Sequence, residues 1–188
     1  MNTRPTAVRF GPDAGAAIRA GLIAGVFFLL IQTIMQPLFF GNSPWDPTQR
    51  IAAILLGGDI LSPPARFDAG TLLAAIFVHF PLSILYALIL ALLVHRLDRM
   101  GALVTGAAFG VVLYLVNYFG FTGMFPWFAP ARNWVTILSH LTFGMVAGWS
   151  YVALQRPMLV MTERYIGVER RHVVASPSLW TGPERRRA

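Results

Sequence analysis

Four stretches of this chain stay apolar for about 20 residues each, the length a helix needs to cross about 30 Å of hydrocarbon. They lie at 18–39, 69–94, 101–122 and 134–154. Lipid offers a peptide group no hydrogen-bond partner, so each stretch must satisfy its own backbone and is expected to be a helix. The expected fold is an all-α integral membrane protein, a four-transmembrane-helix bundle. A hydrophobic fraction of 56 % against 12 % charged residues lies outside the usual range of water-soluble domains. The first run begins near Arg19 and has no small-x-small cleavage site before its polar exit, so it reads as a retained span rather than a signal peptide.

A fifth apolar run, "IAAILLGGDIL", is too short to span. Its flanks predict a short interfacial helix over 47–57, with Asp46 as N-cap, Pro47 at the first position, and Gly57 and Gly58 as the stop. The division is then an N-terminal segment 1–16, a membrane domain 17–155 and a basic tail 156–188. All fifteen basic residues are arginine, and twelve of them fall before or at the start of the first run, between the second and third, or after the fourth. Only Arg50, Arg66 and Arg132 fall on the other side, so both termini are expected to be cytoplasmic. Phe39, Phe40, Trp45, Phe125, Trp127, Phe128 and Trp134 gather at the opposite boundary as an aromatic belt. This placement accounts for the net charge of +7 without invoking nucleic acid. The tail, ending "SPSLWTGPERRRA", reads as a topology anchor without fixed structure.

Each span carries one strongly polar residue: Gln32, His79, Asn117 and His140. Counted at about 1.5 Å per residue, all four fall about 10 to 16 Å below the outer surface, forming one polar layer. Helical phase places small residues beneath each of them. His79 aligns with Ser83 and Ala87, His140 with Gly144 and Gly148, Gln32 with Gly25 and Gly21, and Asn117 with Gly110 and Gly106. Small stripes let backbones approach closely, and polar groups on the same faces can hydrogen-bond across the interface. Pro81 removes the amide that would bond the Phe77 carbonyl and is expected to bend the second span below His79.

Spans one and three share the spacing of Gly21, Gly25 and Gln32 with Gly106, Gly110 and Asn117, and each is followed by a Pro-Trp pair. This pattern points to two parallel-repeat helical hairpins.

The segments "GLIAGV", "SILYAL" after a histidine, the outer "FPWF", and "SHLTFG" resemble the YagU-like group of small bacterial inner-membrane proteins. The resemblance covers about 17–156 and implies a four-span bundle in the bacterial cytoplasmic membrane, with His79 and His140 on family-like histidines. A sodium:proline symporter label carried by some shorter relatives does not suit a single four-span unit.

Without cysteine, thiolate metal sites and cysteine nucleophiles are excluded. Ser83 and Ser139 lack a readable acid partner, and no phosphate loop or metalloprotease motif is present. Asp46, Asp59 and Asp68 read as caps and loop residues balanced by Arg50, Arg66 and Arg132. The expectation is therefore a structural or accessory membrane component without catalytic activity, metal or cofactor. Three readings of the polar layer stay open: bundle glue in a structural or accessory component, the lining of an outward-facing cavity in a small channel or transporter, and axial ligation of a b-type haem by His79 and His140. Expected partners are the lipid bilayer and, for the exposed faces, a second copy of the chain or a larger membrane complex.

Overall fold

The computed structural model describes residues 11–155 with their side chains and, as backbone alone, three strands outside that range. Four helices are long and apolar enough to cross a membrane, α1 (Ala14–Phe40), α3 (Ala69–Val94), α4 (Arg99–Leu115, with a helical continuation to Gly123) and α5 (Trp134–Leu154). The short helix α2 (Asp46–Leu56) lies between α1 and α3. The membrane portion is thus the all-α four-helix bundle expected of a polytopic membrane protein. Large apolar side chains such as Leu38, Phe77, Leu73 and Val104 project outward, as they must where the solvent is acyl chain rather than water.

Helix starts follow from caps. Asp13, Asp68, Asp98 and Asn133 each turn a side-chain oxygen to a backbone amide of the first turn of α1, α3, α4 and α5. The Asp13 cap starts α1 at Ala14, ahead of the expected 18. Asp46 is not the N-cap of α2. Trp45 takes that position, Asp46 falls in the first turn, and its carboxylate instead accepts from Arg50 Nε at 2.8 Å, one turn on. Gly57 ends α2 at φ +90°, a backbone conformation that disfavours any side chain. The helix α3 runs unbroken through Pro81, which is exposed on its outer side.

The start of α1, the end of α5 and the α3–α4 turn define one end of the bundle, here called the terminal end; residues 41–68 and 120–133 define the other, here called the loop end. The helix α5 packs on α1 and α4, and α1 also packs on α3. The small stripes make these seams. A Cβ on Gly21 would lie 2.8 Å from the Ser83 carbonyl oxygen and 2.9 Å from Ala87 Cβ. On the other side Gly106, Gly110 and Gly144 meet backbone to backbone; a Cβ on Gly144 would overlap the Gly106 carbonyl and lie 2.9 Å from the Gly110 nitrogen. Both halves therefore pair a Gly-x3-Gly helix with a helix carrying histidine and small residues at every fourth position. The apolar core fills the terminal half, where Ala20, Leu90, Val94, Ala102, Ala147 and Tyr151 are buried together.

Beyond the bundle, β1 (Arg4–Val8), β2 (Met158–Tyr165) and β3 (Val168–Ala175) form an antiparallel sheet in that order. The sheet corrects the expectation of a tail without fixed structure over Met158–Tyr165 and Val168–Ala175; the closing stretch "SPSLWTGPERRRA" lies outside the described residues.

Gly144→Ala is expected to cost about 1–3 kcal/mol by forcing apart a backbone contact, read as a lower melting temperature in detergent micelles. Gly123→Ala, where a Cβ meets nothing within 4 Å, should leave melting unchanged. The Asp68 cap adds a pH prediction. The Thr71 backbone amide, at 2.7 Å, holds this carboxyl below its ordinary 3.8. The folded-state value lies below the unfolded one, so the cap contributes fully above about pH 4 and its contribution is lost as pH falls through the folded value. Asp68→Asn caps without titrating and is expected to flatten that part of the acid limb in a melting-temperature series.

Candidate functional site: a polar cavity in the loop-end half

Above the glycine seams the helices line a partly open cavity of about 580 Å³. All four residues of the polar layer, Gln32, His79, Asn117 and His140, line it, and so does Ser83. The glycines at 21, 25, 106, 110, 144 and 148 lie outside the lining, in the seams or beside the histidines. Pro81 does not reach the cavity.

Backbone carbonyls orient both imidazoles. His79 Nε2 lies 3.0 Å from the Gly25 carbonyl oxygen, so this nitrogen carries the proton and donates. A side chain on Gly25 would displace the ring, since its Cβ would lie 3.2 Å from His79 Nε2. His140 reverses the arrangement: Nδ1 donates to the Thr136 carbonyl at 2.8 Å, leaving Nε2 to accept from Asn117 Nδ2 at 3.3 Å. The Asn117 carbonyl in turn accepts from the Tyr86 hydroxyl at 3.0 Å. A relay of side chains thus connects α3 to α4 and α4 to α5. Asn117 and Tyr118 both reach the cavity because the helix widens to a π turn over Val116–Gly120.

A second polar cluster sits nearer the loop end. Gln36 Nε2 lies 3.1 Å from Gln32 Oε1, 3.2 Å from Thr136 Oγ1 and 3.3 Å from Asn133 Oδ1, and its own oxygen accepts from Asn42 and Asn133. Neither Gln36 nor Thr136 is in the predicted layer, yet each lies four residues from a member of it, the spacing that repeats along a helix face. Tyr86, seven residues after His79, carries the same signal. Phe28 had none, being one apolar residue among many.

The roof is α2 and the 3₁₀ turn Pro126–Ala131, clasped by Arg50 and Trp127. Trp127 Nε1 donates to the Arg50 carbonyl at 3.1 Å, and Arg50 Nη1 donates to the Trp127 carbonyl. The paired Asp46 and Arg50 are the cavity's only carboxylate and guanidinium among the described residues, so the lining carries no net charge.

Haem does not suit this geometry. The Phe28 ring contacts both imidazoles, at 5.4 Å from His79 and 4.9 Å from His140 between centroids, and fills the space a macrocycle would need. The nitrogen usually used for axial ligation, Nε2, is held by the Gly25 carbonyl in His79 and accepts from Asn117 in His140. Among the described residues no group of three His, Cys, Asp or Glu could hold a metal ion. Comparison with protein-family models, curated proteins and solved structures returns no match to this chain.

The relay predicts coupled energetics. Tyr86→Phe and Asn117→Leu are each expected to cost about 0.6–2 kcal/mol, and the double variant less than the sum, because each removes the same Tyr86–Asn117 bond. Unfolding of the four proteins of the cycle in mixed micelles measures the coupling.

Proposed function

We propose that this chain is a non-catalytic protein of the bacterial cytoplasmic membrane, with both termini cytoplasmic, that binds a small uncharged molecule in the loop-end half of its bundle. The cavity carries the reading. Its size falls within the roughly 300–1,000 Å³ of small-molecule sites, and it combines apolar walls with a few fixed polar groups. Packing alone does not require so large a space, since the terminal half packs around a buried core and is left with only an apolar groove of about 230 Å³ between α1 and α3.

The absence of net charge in the lining argues for a neutral ligand, because an ion here would leave its own charge uncompensated in a low-dielectric site. The glycine seams below argue for a closed floor and therefore for binding rather than conduction. Of the two cavity functions a histidine-lined space can serve, retention of a ligand suits this conformation and open flow does not. The resemblance to YagU-like proteins is compatible with this role and adds no substrate.

Leu82, on the α3 wall, provides the test. Detergent-purified protein screened against small neutral molecules is expected to melt higher with those that bind, through mass action. Leu82→Trp, which fills the cavity, should fold and lose that shift. A His79- and His140-dependent ionic current in planar bilayers, with no ligand-induced shift, would overturn binding in favour of a channel.

A further inference from the structure

The cavity has a side opening. Its lining includes Leu85 on α3 and Phe121 beyond α4, which are 49 % and 38 % exposed. A residue that both lines an internal space and faces outward marks a place where the two join. These residues flank the seam between α3 and α4, which is the loosest among neighbouring long helices. By the repeat, the matching seam is α1 against α5, which is closely packed. Duplication therefore supplies two equivalent seams, and this chain closes one and leaves the other ajar. The Tyr86–Asn117 hydrogen bond crosses the open one.

Depth decides what passes. Leu85 lies sixteen residues into α3, about 24 Å along it at 1.5 Å per residue, well within the hydrocarbon. The opening runs from there towards Phe121 near the loop end, so it is a slot along the membrane normal with apolar lips. An acyl chain has that shape and that solvent. At the loop end the cavity also meets solvent beside the Arg50–Trp127 clasp, where the exposed Asn42 and Pro130 line it; that mouth is polar, whereas the slot between α3 and α4 has the apolar lips an acyl chain needs.

Two polar atoms of the four-residue layer have no hydrogen-bond partner among the described residues: Gln32 Nε2, whose oxygen is taken by Gln36, and His79 Nδ1, whose Nε2 is taken by Gly25. Neither belongs to the fully buried unpaired atoms, so both remain open to the space they line. One is a donor and the other an acceptor. A hydroxyl is both, and the adjacent hydroxyls of a glycerol head can serve the two atoms separately.

Resting on the proposed binding role, we infer that the ligand is a neutral, hydroxyl-bearing amphiphile that comes from the bilayer through the α3–α4 slot, its hydroxyl head on Gln32 and His79 and its chain between the lips. The probe is a monoacylglycerol with a diazirine in its acyl chain, reconstituted with the full-length protein in phosphatidylcholine vesicles. Photolabelling is expected at Leu82, Leu85 and Leu113. The methyl ester of the same acyl chain should label these positions at least fivefold less. Leu85→Trp, which plugs the slot at a lipid-exposed position and leaves the seams intact, should abolish cavity labelling, and Gln32→Leu should lower it towards the ester level.

Equal labelling by ester and monoacylglycerol would overturn the hydroxyl head, leaving ordinary boundary lipid. Competition by free glycerol, or labelling undiminished by Leu85→Trp, would overturn the bilayer route while leaving cavity binding intact. Absence of labelling inside the cavity would overturn the lipid ligand; only if the neutral-molecule screen also gives no Leu82-sensitive shift does the binding role fall with it.

Discussion

The contact on which this molecule depends is backbone against backbone. Between helices in a bilayer there is little hydrophobic gain, because the lipid displaced is as apolar as the side chain replacing it. What remains is close packing, and glycine at 106, 110 and 144 lets α4 and α5 approach until their peptide groups touch. Gly21 does the same for α1 against the Ser83–Ile84 backbone of α3, and Gly25 makes room for the Ser83 and His79 side chains. These seams set the helix separations in the terminal half, and the cavity lies above them.

The polar groups then occupy space that the seams leave. Their orientation is set by main-chain carbonyls, which are fixed once the helices are in place. Gly25 shows the dependence in one residue: it admits the Ser83 side chain, its carbonyl accepts a hydrogen bond from His79 Nε2, and by lacking a side chain it leaves room for the imidazole. Packing and site chemistry are in this respect a single constraint.

Much of the architecture was legible because caps sit directly against apolar runs. Asp68 and Asn133 precede α3 and α5, and both helices start and stop where hydropathy places them. Where a capping residue had a competitor the reading failed: Asp46 precedes a proline as an N-cap should, but Arg50 one turn away draws its carboxylate along the helix instead. The early start of α1 was obscured because Ala14, Gly15, Ala16 and Ala17 are small rather than strongly apolar. The π turn at Val116 leaves no periodic trace, so the joint reach of Asn117 and Tyr118 into the cavity could be seen only in three dimensions. Phase along each helix did predict which polar residues share a face. It could not tell a packed centre from a hollow one, since that depends on how the seams splay.

The unequal seams have a mechanical side. The long helices form a chain of tight joints, α3 to α1, α1 to α5 and α5 to α4, whose two ends meet at the loose joint. Such an assembly behaves as a split ring. Joints in which peptide groups already touch resist compression steeply, so a squeeze from the surrounding lipid is relieved at the split, and the spring that holds the split near its resting width is a phenol on an amide. The compliance of the whole bundle is thereby gathered into one narrow sector of its circumference.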